Sequence, residues 1–354
     1  EINDISIVVI DNSYQKHGHL EVDKLFKIES VYDDVIKLKS SVQENIQELK
    51  NVLSVREIPK ELIGEKCFSP YNCDFMGHCW KDVPEYSIFN LANLKKKEAE
   101  RLYHSGVTLI TDLPYDHKLS ASQAHQVQSE RDGSVIINKK ALRSFTNQLE
   151  YPLYFLDFET TQMAVPEFSV QRPYQQIPFQ YSLHIQNNEN QTLKINENHF
   201  EFIANPDKDP RRVIAESMIQ KLPKKGSIMA YNESFEKSCI KSLAEYCPDL
   251  AGELLAFNER FVDLIEPFRG GGYYDSEFRG SFSIKKVLPA ICSSNKELDY
   301  KKLEISNGGL ASSSYKGLRN KSNEDAQKTL EDLYQYCRLD TYAMYAIYQK
   351  IIQI

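Results

Sequence analysis

The octet Tyr154-Phe155-Leu156-Asp157-Phe158-Glu159-Thr160-Thr161 is a short apolar run interrupted by two carboxylates. A run of this kind reads as a buried strand, and on a strand residues two apart share a face. Asp157 and Glu159 therefore point the same way at the edge of a core. Two like charges so placed are costly unless a positive charge stands between them. A divalent metal ion is the usual solution, and further carboxylates must then converge on the same point.

Two other segments can supply them. In Ala230-Tyr231-Asn232-Glu233-Ser234-Phe235-Glu236 a strand ends, Asn232 turns the chain, and Glu236 falls in the first turn of the next helix, where the helix dipole favours a carboxylate. In Tyr336-Cys337-Arg338-Leu339-Asp340 the Tyr and the Asp are four apart and share a helix face, which Leu333 and Met344 continue inward. A buried Asp beside a buried Tyr calls for a reason. Carboxylate oxygens are hard donors, so such a set suits Mg²⁺ or Mn²⁺ better than His or Cys would. A pair of such ions can activate a nucleophile and neutralise the leaving oxygen in phosphodiester cleavage. Each motif alone also reads as a helix cap or a surface charge; all three in this order are harder to read so.

A second group of reactive side chains is Cys67, Cys73 and Cys79, within thirteen residues and among Pro70, Tyr71, Phe75 and Trp80. Thiols this close in a reducing compartment suggest a metal or an iron–sulfur cluster. Three Cys leave one ligand short. His78 can complete a Cys₃His zinc site, and unmetallated thiols are the third alternative. Cys239, Cys247, Cys292 and Cys337 lie in apolar-periodic segments and read as core fillers. With no secretory signal, seven Cys in 354 residues do not suggest a disulfide scaffold.

Composition is that of an ordinary globular chain, with 41% hydrophobic and 26% charged residues and a length suited to two or three domains. No apolar run approaches the ~18 residues that span a membrane, so the expected location is cytoplasmic and no membrane partner is expected. A net charge of −7 excludes a broad cationic footprint for nucleic acid. Local patches remain at Lys95-Lys96-Lys97, Lys224-Lys225 and Lys285-Lys286, each of which also reads as solvated surface.

The elements that must position these groups follow from periodicity. Ile5 to Ile10 reads as a strand, and Asp33 to Leu53, with apolar residues every three or four positions, as a helix. The core these can form is small, and the chain starts with Glu1, so residues upstream of a natural domain are expected to be missing. A Lys/Glu-rich helix, Gly106 and Val107 to Leu113 fill 91–113, and the polar stretch 116–133 reads as a linker. From Pro152 strands and helices alternate: strands at Tyr154–Glu159, Phe179–Gln186, Leu193–Phe202, Ser227–Tyr231 and Phe261–Ile265, and helices at Arg211–Leu222, Phe235–Cys247, Ser283–Leu288 and Asp325–Ile352. That is an α/β pattern with a mixed sheet.

The Asp-x-Glu strand, the Asn-x-x-Phe-acid turn and the late Tyr-x-x-x-Asp helix, in this order, resemble the DEDD superfamily of 3′–5′ exonucleases, in the subgroup marked by the Tyr (DEDDy). The resemblance covers about residues 150–354 and implies an RNase H-like mixed β-sheet flanked by helices. It further implies that Asp157, Glu159, Glu236 and Asp340 hold two Mg²⁺ or Mn²⁺ ions. Tyr336 would orient the attacking water, and Asn232 and Phe235 would lie against the substrate. Nucleic acid would be the partner, DNA sooner than RNA, shortened from its 3′ end; the alternative is a module of this fold that binds nucleic acid without turnover. One departure is Glu236, where the family usually has Asp.

Gly280 to Pro289 and Ile305 to Gly309 resemble a bacterial family of uncharacterised proteins that carry such a domain behind a RecB-like nuclease region. There Lys285 and Lys286 would meet substrate phosphates and Asp263 would support the ligands. The Cys spacing resembles RecB-like, PD-(D/E)XK nucleases with an iron–sulfur staple, which implies a [4Fe–4S] cluster whose fourth Cys lies upstream. Leu91 to Leu113 faintly resembles a helix–hairpin–helix DNA binder. The expected organisation is a partial RecB-like region at 1–85, a helical connector and linker at 86–149, and the exonuclease domain at 150–354.

Overall fold

The computed structural model describes residues 2–293 and 298–354. The chain divides into two compact units, Glu1–Val83 with Gln162–Gln175, and Pro84–Thr161 with Gln176–Ile354.

The first unit contains β1 (Ser6–Ile10), α1 (Val22–Leu25), β2 (Phe26–Ser30), α2 (Tyr32–Ser54) and α3 (Met76–Cys79). β1 and β2 pair antiparallel, with Val8 opposite Ile28. The three-and-four spacing of α2 makes it amphipathic, yet none of its residues is buried, and Leu38, Val42, Ile46 and Leu49 are exposed. The 162–175 segment joins this unit through Lys16, whose backbone exchanges hydrogen bonds with Gln171 and Val170 at 3.0 and 2.7 Å. In the Cys-rich loop, Phe68 meets Trp80 edge-on at 5.2 Å.

The second unit holds α4 (Lys96–His104), α5 (Ala121–Asp132), β3 (Ile136–Ile137), α6 (Lys139–Thr146) and β4 (Leu153–Gln162). It continues with β5 (Gln176–Gln186), β6 (His199–Ile203), α7 (Arg211–Lys221), β7 (Ile228–Ala230), α8 (Ser234–Tyr246), α9 (Ala251–Asn258) and β8 (Phe261–Asp263). The remainder is α10 (Glu266–Arg269), β9 (Tyr273–Tyr274), α11 (Ile284–Ile291), α12 (Gly308–Gly317) and α13 (Asn323–Ile352). Five strands form one sheet in the order β6-β5-β4-β7-β8. β5 and β6 are antiparallel, whereas β4–β7 and β7–β8 are parallel. The fold is therefore mixed α/β.

Alternation along β4 sorts its side chains onto two faces. Tyr154, Leu156 and Phe158 join the core beneath α7 and α8, with Ile214, Met218 and Ile240. Leu153 and Phe155 face the other way, into the core that α13 covers; Phe155 meets Tyr345 edge-on at 5.7 Å. Cutting the fully buried Phe155 to Ala would cost about 3–5 kcal/mol. Asp157 and Glu159 continue this second face, so they are aimed at α13.

Two elements differ from their sequence reading. A capped helix, α5, stands within the expected linker 116–133: Ser120 and Gln123 form a reciprocal capping box. Its buried face is mostly polar, with Val127 the apolar exception, and has Gln126 bonded to Ala92, Asn90 and Tyr86 and Gln123 to Ala92. Strand β6 is shorter than the expected Leu193–Phe202 because two backbone groups ahead of it bond side chains instead of a ladder. The Leu193 N–H donates to the Tyr345 hydroxyl at 2.9 Å, and the Ile195 carbonyl lies 2.9 Å from His184 Nε2.

Candidate functional site

Three of the four expected acids meet. One carboxylate oxygen from each of Asp157, Glu159 and Asp340 lies within 4.8 Å of the other two. No other trio of His, Cys, Asp or Glu among the described residues has this spacing. The first two come from the middle of β4, just past the residues that pair with β7. Asp340 comes from α13, one turn after Tyr336, which is itself buried. Cys337, read as a core filler, is buried there too, with its Sγ 3.6 Å from Asp157 Oδ2.

The site is electrostatically unbalanced. Burial, reinforced by Asp340, Glu159 and Glu236, holds the Asp157 carboxyl well above the carboxylate range. Glu159 is pushed up to about 8 by burial and then by Asp340, with Lys285 opposing. Asp340 is raised to about 6 by burial, against the pull of Tyr300, Lys285 and Tyr336. Like charges this close favour protonation or a bound cation.

The second motif sits next to this trio without joining it. Asn232 adopts a left-handed φ of 72°, which Asn tolerates, and its N–H donates to Asp263 Oδ1 at 2.8 Å. This turn launches α8 and puts Glu236 in its first turn. Glu236 is 4% exposed, and its Oε2 has no hydrogen-bond partner among the described residues. Burial first, then Asp263, Glu233 and Asp340, raises it to about 8. It lies outside the 4.8 Å group. Phe235 is half-buried and packs against the α7–α8 core.

Lys285 reaches the site and Lys286 does not. The Lys285 ammonium donates to the Ser306 carbonyl at 2.8 Å, and its charge acts on both Glu159 and Asp340. Lys286 is exposed and has no side-chain partner among the described residues. Behind Ser306, α12 starts beside Glu159: a Cβ on Gly308 would stand 3.4 Å from Glu159 Oε2. Sequence reasoning missed Tyr300, whose hydroxyl donates to Asp340 Oδ1 at 2.5 Å and whose ring meets Tyr336 at 6.5 Å.

The three thiols and His78 form no single-ion group: Cys67 is buried, Cys73 and Cys79 are exposed, and no three of these ligand atoms lie within 4.8 Å of one another. The backbone ties Cys73 N–H to the Cys67 carbonyl at 2.9 Å.

Residues 154–283 match a family described as "Domain of unknown function (DUF2779)". That span carries Asp157, Glu159 and Glu236 but stops before Lys285, Tyr300 and Asp340. The chain is 26% identical over 232 residues to a protein of Mycoplasma pneumoniae named "Uncharacterized protein MG366 homolog". The match covers 62% of this chain and 34% of that protein, so the chain spans about a third of the relative's length. No solved structure matches the chain.

Proposed function

We propose that the chain is a metal-dependent 3′–5′ exonuclease that hydrolyses phosphodiester bonds in nucleic acid, with single-stranded DNA as the preferred substrate. The observation that carries this reading is the convergence of Asp157, Glu159 and Asp340 to within 4.8 Å, at the part of β4 just past its pairing with β7. The mixed sheet, with its site beyond strand ends, is consistent with an RNase H-like domain. Open α/β sheets commonly bind ligands at that edge.

The donor set fits Mg²⁺ or Mn²⁺. Every converging ligand is a carboxylate oxygen, and the partnerless Glu236 Oε2 is a buried atom that a cation would satisfy. Asp157, Glu159 and Asp340 would hold the metal, with Glu236 completing the set. Bound metal supplies Lewis acidity at the phosphoryl group and a nucleophile at neutral pH. The protein's own groups do the positioning. Tyr300 holds Asp340 Oδ1, and the buried Tyr336 would orient a water. Lys285 brings a cation to the side where phosphate oxygens carry charge.

The position of Glu236 outside the close group favours a second reading, a nucleic-acid-binding module without turnover. Crystals soaked in Mn²⁺ separate the two. Anomalous peaks between Asp157 and Asp340 are expected; soaked crystals with no metal there contradict the enzyme. Among the described residues no helix is long and apolar enough to cross a membrane.

A further inference from the structure

The segments that carry Glu236 and Lys285 also line a cleft of about 720 Å³, within the ~300–1,000 Å³ range of small-ligand sites. Its walls come from Tyr231-Asn232, from Gly280–Ile284, from Ile265 and Arg269, and from Asn93 and Ser122. Two of these walls continue into the acidic centre. Ile284 is followed by Lys285, the cation beside Glu159 and Asp340, and Asn232 stands four residues before Glu236. The cleft and the acidic centre therefore share two chain segments.

The walls are braced. The Tyr231 hydroxyl donates to the Phe282 carbonyl at 2.6 Å. Gly280 has φ +76°, and any Cβ there would lie 2.3 Å from the Asn90 carbonyl, so only glycine allows this approach. That contact presses the segment ahead of β4 onto the cleft and makes Asn93 and Ser122 part of it.

The lining chemistry is one-sided. Among the described residues no carboxylate lines the cleft, although the chain carries a net charge of −7. Arg269 is its one charged residue; it is exposed and makes no ion pair among the described residues. A free guanidinium is a phosphate receptor. The amides of Asn93 and Asn232 and the hydroxyls of Ser281 and Ser283 suit sugar hydroxyls and base edges.

We propose that this cleft is a nucleotide subsite, holding the unit next to the scissile bond with its phosphate on Arg269. The proposal rests on the exonuclease reading and adds to it: residues ahead of β4 help bind the strand.

The test uses fluorescein-labelled ten-residue oligo-dT. Binding in Ca²⁺ is followed by anisotropy across a salt series, and cleavage is followed in Mn²⁺. Arg269→Ala is expected to raise KM about tenfold with kcat kept, and to lower the slope of log K against log salt by about 0.7, one single-strand phosphate contact. Arg269→Lys is expected to recover part of both. Ser122→Trp, which adds bulk to the lining outside the acidic centre, is expected to raise KM with Mn²⁺ binding kept. If the wild type cleaves and Arg269→Ala and Ser122→Trp match it in KM and slope, the subsite is wrong and the exonuclease reading stands. A folded wild type that neither binds nor cleaves the oligonucleotide overturns both.

Discussion

The Tyr300 hydroxyl donates a hydrogen bond to Asp340 Oδ1 at 2.5 Å, joining the segment after α11 to the acid that α13 brings to the site. A hydrogen bond to a ligating carboxylate fixes its orientation, and loss of such a partner typically costs about 10–100-fold in metal affinity or activity. Tyr300→Phe is expected to weaken Mn²⁺ binding by that order in calorimetry. Tyr336→Phe is expected to slow turnover while leaving Mn²⁺ affinity within a few-fold. Equal Mn²⁺ affinity for Tyr300→Phe and wild type would remove Tyr300 from the site.

Neutralising the trio separates activity from stability. Metal is expected to supply several kcal/mol of transition-state stabilisation, so Asp157→Asn or Asp340→Asn is expected to lower cleavage by about 10³-fold. Each change also removes a half-buried like charge. Without metal, the melting temperature of either variant is expected to equal or exceed that of the wild type. A lowered melting temperature would mean that these acids stabilise the fold.

Stability should vary with pH in two windows. Glu159 and Glu236 titrate at about 8 and Asp340 at about 6 when folded, above their unfolded values. Their contribution is present below about pH 4.5 and is lost as pH rises towards 8. His184 and His199, in the buried network with Ser182 and Thr341, are pushed down by burial to about 4 and about 3. Their contribution is present above about pH 6.5 and is lost as pH falls towards 3. From pH 6.5 to 8 only the acids act, so the metal-free melting temperature is expected to fall, and Mn²⁺ is expected to restore it. A flat metal-free profile across that range contradicts the electrostatics.

Adjacent lysines are expected to behave differently. Lys285→Ala removes the cation near Glu159 and Asp340 and should cut kcat/KM by about tenfold or more, the scale of one charge-assisted contact. Lys286→Ala should stay within about twofold. Equal losses would point to general charge rather than to position.

Much of the site was legible because it rests on strict periods. A period of two puts Asp157 and Glu159 on one face of β4, and a four-residue step puts Tyr336 and Asp340 on one face of α13. Tyr300 was not legible: it lies in a single 3₁₀ turn, Tyr300–Lys302, without periodicity, and its partner is forty residues away. The α5 helix was hidden for a related reason. Its buried side uses Gln123, Gln126 and Ser129, each hydrogen-bonded, so apolar patterning sees only a polar stretch. The Cys67–Cys79 cluster shows the opposite hazard, since close sequence spacing there does not put three ligand atoms within the 4.8 Å of a single-ion site. The residue type of Glu236 was plain, but its separation from the trio depends on how α8 leaves β7.

The most direct measurement is a time course of a 5′-labelled single-stranded DNA oligonucleotide with Mn²⁺, comparing wild type with Asp157→Asn and an intact with a 3′-blocked substrate. The expected result is stepwise shortening by the wild type alone, abolished by the 3′ block and by chelation of the metal. Identical, unshortened products from wild type and Asp157→Asn, on DNA and on RNA, would contradict the assignment of the Asp157–Glu159–Asp340 cluster as a catalytic metal site.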